Sequence, residues 1–357
     1  MNRIMPALAL AVSPFLSLRR RFPLAVYVMN RVAIYVAMLL AIGLVVFGLL
    51  GLMPGDLAEQ ISRRFAPSGV RPGSGAFQIT EEQEYHLRRH MGLDAPWYAQ
   101  YLRWVGAALR GDLGVDLEGR APVAFIIRQR LFNTVLLNAI SFAITAALAL
   151  ALGVRFSARA GSRADLALTF FALFLYSIPP LAVFFGLQLF AFVTWLFPVA
   201  GLPVRSMAPN VFAFALMYAH HIFLLVLANF VFGFGVALRM TKMFMLDQLG
   251  QPYVLALRSR GVPERRILFR HVLRNALNPF ISWGSLQVIA MLSGSIVLEV
   301  TFAFPGIGRL MADAAFRQDA NVIMAVVMTV AAAVLVVMLA ADIMLAFLDP
   351  RVRYGKG

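Results

Sequence analysis

Cysteine is absent from the 357 residues. Disulfide frameworks, thiol nucleophiles and cysteine-ligated metal centres are thereby excluded. Charge is scarce as well: Asp, Glu, Lys and Arg make up 14% of the chain, against about 25% in an ordinary soluble domain. Acids are rarer than bases, 17 against 32, and only two of the bases are Lys. No Gly-x-x-x-x-Gly-Lys-Ser/Thr run is present, and the one Gly-Lys pair is Gly355-Lys356 near the end. Nucleotide energy, if used, must come through another chain. Nucleophile-elbow and His-Glu-x-x-His motifs are missing too, and no internal repeat stands out. What fills the chain is apolar, 61% of it, where soluble domains hold about 45–50%. That excludes a soluble enzyme and a disordered chain. The net charge of +15 is in this setting a topology signal and implies no nucleic-acid partner.

A bilayer core about 30 Å thick needs roughly 20 apolar residues in a helix. Five stretches meet that near 31–53, 131–154, 210–238, 276–300 and 321–348. A sixth, 165–197, is too long for one straight span and holds Pro179-Pro180. Proline removes a backbone donor and clashes with the preceding turn. The expectation is one bent span followed by a short apolar segment, with two half-spans as the alternative. The chain thus reads as an all-α membrane protein of about six transmembrane helices. The loop 155–163 and the tail hold bases and almost no acids, which places both termini inside the cell (N-in, C-in). Met1–Leu18 is apolar, but Arg19-Arg20-Arg21 follows it, the wrong flank for a cleaved signal. The organisation is then a cytoplasmic N-terminal segment 1–30, a first helix 31–53 and an outer segment 54–130. A five-helix core 131–348 and a cytoplasmic tail 349–357 follow.

Within the core the inner segment 239–275 is the most basic part of the chain. Pro252 suits the first turn of a short helix and Gly261 suits its stop. Pro263 opens a second helix with Glu264 in its first turn, favourable to the dipole. Arg266, Arg270 and Arg274 recur every four residues and form one stripe. Charge alone favours a loop lying over anionic lipid headgroups; the helix-stop-helix punctuation favours a rigid dock for a cytoplasmic partner.

Several polar residues interrupt the apolar runs. His220 and His221 lie in the fourth span, either on a pathway or bonded to neighbouring helices; adjacent residues point about 100° apart, so both cannot face one pathway. Gln287, Ser293, Gly294 and Ser295 suit close helix packing or a pathway wall, and Pro179-Pro180 a gating kink or a packing irregularity. Glu299 stands at an outer end before Phe304-Pro305-Gly306, which suits a turn into a short helix ending near Phe316. It pairs with Arg309 or a partner chain, or is a solvated rim acid. Asp342 is placed to meet a cytoplasmic Arg. His86, His90 and Glu82 share metal-ligand spacing, but Arg88 and Arg89 between them favour a solvated face, and no metal site is assigned. Trp97, Tyr98, Tyr101 and Trp104 suit membrane anchoring, packing, or a binding-protein dock.

The stretch Tyr253–Pro279 resembles the cytoplasmic signature of ABC-importer permeases, with Ala256 and Gly261 at the motif's alanine and glycine and Leu255 replacing its acidic residue. Met53-Pro54-Gly55-Asp56, Arg110-Gly111-Asp112-Leu113-Gly114, Asn133-Thr134, Glu299 with Phe304-Pro305-Gly306-Ile307-Gly308-Arg309-Leu310, and Leu348-Asp349-Pro350-Arg351-Val352-Arg353-Tyr354 resemble the peptide/nickel branch. The ordered set, over residues 31–354, is similar to a permease subunit of the oligopeptide/dipeptide/nickel importer family. The resemblance implies a second homologous permease, two ABC ATPase subunits that bind ATP and Mg, and an external solute-binding protein. Cargo would be peptides or similar small solutes, nickel chelates among them, crossing a bacterial inner membrane. No cofactor is implied for this chain, and it would not itself be an enzyme. A coupling helix near 251–261 would engage an ATPase through Tyr253, Ala256, Leu257, Arg258, Gly261, Val262, Arg266 and Arg270. Pro179, Pro180, His220, His221, Gln287, Ser293, Gly294 and Glu299 would serve the pathway or the permease interface. The rival readings are a stand-alone secondary transporter or channel and a membrane assembly protein without transport activity.

Overall fold

The computed structural model describes residues 23–52, 95–116 and 121–348. These form helices α1 (Pro23–Leu50), α2 (Trp97–Ala108), α3 (Val123–Ser157), α4 (Arg163–Ser177) and α5 (Pro180–Thr194). After them come α6 (Val211–Leu249), α7 (Pro252–Ser259), α8 (Leu273–Gly294), α9 (Ile296–Thr301), α10 (Ile307–Arg317) and α11 (Ala320–Leu348). A helical turn Glu264–Arg266 and a π-helical turn Ile267–Val272 lead into α8. Among the described residues no strand forms, and Val115 and Pro122 meet in one isolated bridge.

By length and composition α1, α3, α6 and α11 are each able to cross a membrane, and α4 with α5 makes a fifth crossing if the pair counts as one. The stretch expected as a span at 276–300 becomes α8 and α9 and is not among those helices: Arg274, Asn275, Asn278, Ser282, Ser285 and Gln287 make α8 less apolar than the others. The 165–197 region breaks more sharply than a kink: α4 and α5 lie 90° apart. Pro180 occupies the first turn of α5, where its missing N–H costs nothing, and Ile178 is forced extended ahead of the prolines. Phe170, Phe174, Leu189 and Phe192 stand exposed on these two helices, an apolar surface that only lipid or another chain can cover.

The chain divides into two compact units. One comprises residues 35–132 and 310–333. Here Tyr101, buried on α2, donates its hydroxyl to Leu40 O at 2.7 Å and packs against Phe47, while Trp97 and Tyr98 stay exposed. Of the aromatic cluster, Tyr101 is thus a packing residue. Arg110–Gly114 is a turn, with positive φ at Gly111 and Gly114 and Asp112 accepting the Gly114 N–H. Asp319 caps α11 by accepting the Val322 N–H at 3.1 Å.

The other unit holds residues 133–309 with the stretches before 35 and after 333. In it α3 and α4 approach α6 closely at small residues. A side chain at Gly235 would meet Ala172 O at 2.5 Å, and one at Gly153 would meet Thr241 at 2.5 Å. Arg31 and Asp342 pair at 3.2 Å.

Candidate functional site

At one end of the larger unit Glu299 is fully buried, not a solvated rim acid. Its Oε1 accepts from Thr134 Oγ1 at 2.7 Å and Ser295 Oγ at 2.9 Å, and its Oε2 accepts from the Arg309 N–H at 2.9 Å. The carboxylate therefore sits at the N-terminus of α10, where free N–H groups and the helix dipole favour an anion. Gly306 leaves room for it, since a Cβ there would overlap the carboxylate. Thr134 extends the network by accepting the Ile307 N–H at 2.8 Å, and Asn133 donates to Pro305 O at 2.9 Å. Arg309 meets Glu299 through its main chain; its guanidinium donates instead to Ala303 O at 2.6 Å. Asn133-Thr134 and Glu299–Arg309, which the sequence holds far apart, thus form one clamp.

The basic inner segment folds as a corner. Gly261 takes φ +72°, its N–H bonds Arg258 O at 3.0 Å, and the Val262 N–H bonds Leu257 O at 3.1 Å. That pair of bonds is a Schellman stop, and Leu257 and Val262 pack on the same apolar cluster, as the motif requires. Val254, fully buried, sets α7 onto Val154, Met245, Ile267 and Val272. Tyr253, Leu257 and Val262 are half-buried against that cluster; Ala256, Arg258, Gly261, Arg266 and Arg270 are exposed, and Leu255 presents 71% of its surface. Arg258 grips Glu264 across the corner at 2.6 and 3.2 Å. Those bonds hold the Glu264 carboxyl below the usual carboxylate range. With its folded pKa lowered, this small contribution is present at neutral pH and fades as pH falls through that lowered value.

A cleft of about 460 Å³ opens within the larger unit between α3, α4, α5, α6 and α8. Pro180, Gln287 and Ser295 line it; Pro179, His220, His221 and Glu299 do not. His220 donates from Nε2 to Leu196 O at 2.7 Å and packs on Phe197, while His221 donates from Nδ1 to Met217 O at 2.8 Å. Both rings thus bond to main-chain carbonyls, and their planes stand 88° apart. The side chains of Ser293 and Gly294, like His86, His90, Met53–Asp56 and the tail motif, lie outside the described residues. Among the described residues no group of three His, Asp or Glu side chains could hold a metal.

One buried ion pair escapes sequence reasoning. Asp165, in the first turn of α4, is buried and accepts from Lys242 Nζ, which also donates to Thr169 at 2.9 Å. The Gly161 N–H bonds its other oxygen at 3.1 Å. The local signal was the cap Ser162, which accepts the Asp165 N–H; nothing local points to Lys242. Lys242→Met should leave a buried carboxylate short of donors and cost about 3–5 kcal/mol, read as a lower thermal midpoint in detergent. Adding Asp165→Leu should restore most of it; a single variant as stable as wild type would refute the pairing.

Residues 139–354 match the family described as binding-protein-dependent transport system inner membrane component. The oligopeptide transport system permease protein AppB of Bacillus subtilis (strain 168) is 34% identical over 338 residues, 93% of this chain and 100% of that protein. The dipeptide transport system permease protein DppB of Escherichia coli (strain K12) is 28% identical over 351 residues, 92% of this chain and 99% of that one. A probable peptide ABC transporter permease of Sinorhizobium fredii is 28% identical over 332 residues, again along nearly all of both chains. The chain belongs to this family: it is an all-α, multi-pass membrane protein and a permease subunit of an ABC importer.

Proposed function

We propose that this chain and a second homologous permease form the pathway by which peptides or similar small solutes enter a bacterial cell across its inner membrane. Six spans carry it, α1, α3, the bent α4–α5 pair, α6, α8 and α11, with both termini inside. ATP and Mg are held and hydrolysed by two separate ABC ATPases, and an external binding protein delivers the cargo. Peptide cargo is suggested by the names of the oligopeptide and dipeptide permeases it is similar to.

The observation that carries this reading is the corner at Gly261. A lipid-skimming loop has no need of a Schellman stop, a buried Val254 anchor and an exposed Leu255 at its tip. A helix seated in a partner's groove needs all of them. In this reading Ala256, Arg258, Gly261, Arg266 and Arg270 face the ATPase, while Tyr253, Leu257 and Val262 hold α7 on the permease. ATP binding draws the corners of the two permeases together and the spans reorient as rigid bodies. The test is to tag the chain in its host, extract it gently and identify what accompanies it. A second permease with two Walker-bearing ATPases is the expected result. A preparation free of ATPase that still transports in liposomes, driven by an ion gradient, would instead make it a secondary transporter.

A further inference from the structure

The cleft beside Pro180 holds polar groups that the protein leaves unmet. Thr145 and Gln287 make no side-chain hydrogen bond among the described residues. Asn229 donates its amide to Ser141 Oγ at 3.2 Å, and its Oδ1 accepts no bond among the described residues. These three polar side chains open onto the cleft, where a ligand can bond them. Apart from Ser295, the rest of the wall is aromatic and apolar, including Phe142, Tyr176, Phe184 and Trp283. No acidic or basic side chain contributes to the lining. The volume, about 460 Å³, is that of a small-molecule site.

We propose that this cleft is a cargo subsite within one permease, binding an uncharged stretch of a peptide in transit: main-chain amides against Thr145, Asn229 and Gln287, an apolar or aromatic side chain against the rings. The assignment rests on the peptide-permease reading above and adds where and by what chemistry the cargo is held. A lipid acyl chain would fill the volume but leave the three polar side chains unmet. A second permease is not needed to form the walls, since all of them come from this chain. Because the lining carries no charge, the subsite discriminates by side-chain apolarity and is blind to the peptide's net charge.

The chain has no cysteine, so Ala290→Cys, at an exposed position on the lining, gives it a unique thiol. The assembled importer with its binding protein is placed in proteoliposomes and labelled with a maleimide during turnover. Labelling of this chain is read by mass spectrometry, with and without the tripeptide Ala-Phe-Ala. Labelling at Ala290→Cys should slow at least threefold with the tripeptide, while Ser259→Cys, exposed at the corner, is unaffected by it. Gln287→Leu should lower tripeptide uptake about tenfold, the worth of one hydrogen bond, with ATP hydrolysis still stimulated by loaded binding protein. Import with peptide-insensitive labelling overturns this subsite alone. So does loss of the second permease from Gln287→Leu preparations, which makes the cleft a packing surface. A wild-type importer that carries no peptide overturns the subsite and the reading beneath it together.

Discussion

Glu299→Leu should be the most damaging single substitution in the described chain. Leucine nearly fills the space but accepts nothing, so the Thr134 and Ser295 hydroxyls and the Arg309 N–H lose their acceptor. Each abandoned buried donor costs ~1–3 kcal/mol, and the first turn of α10 loses the anion that offsets its dipole. The expected outcome is a collapse in the yield of monodisperse protein by fluorescence-detected size exclusion. Glu299→Gln keeps one carbonyl oxygen and should recover part of that yield. Thr134→Val, which removes one donor and the acceptor for Ile307, should fall between the two. Wild-type yield from Glu299→Leu would mean that the clamp does not hold this end together.

Gly261→Val should have the largest effect on function at little cost in folding. A β-branched residue at φ +72° is strained by sterics alone, even though a Cβ there meets nothing within 4 Å. The strain is relieved by reopening the corner, which turns α7 away from its seat. In the assembled importer, uptake should fall at least tenfold while ATP hydrolysis persists. Gly261→Asn, which tolerates the left-handed region, should stay coupled. Equal uptake in the valine and asparagine variants would remove the corner from the coupling mechanism.

How far each feature was legible from sequence follows the range of the interactions that make it. The corner is local: Pro252, Gly261 and Pro263 punctuate it within a dozen residues, and the Schellman bonds fall where they indicate. The apolar runs appear as α1, α3, α6 and α11 for the same reason. Pro179-Pro180 announces a break, but the 90° angle is set by packing that no local pattern encodes. The Glu299 clamp is illegible from periodicity because Thr134 lies 165 residues away; the family resemblance names both strings but does not join them. The Asp165 pair is illegible for the same reason: its partner Lys242 lies 77 residues on.

Helix α6 has 39 residues, about 58 Å at ~1.5 Å per residue. A hydrocarbon layer about 30 Å thick swallows only about half of such a rod. The remainder must stand clear of the lipid, and the corner is fastened to it through Met245. Glycine contacts with α3 and α4 and the Lys242–Asp165 pair brace the half of that rod that carries the corner. Its geometry is that of an oar: under the coupling reading proposed above, the corner is the handle and the α6 residues lining the cleft are the blade.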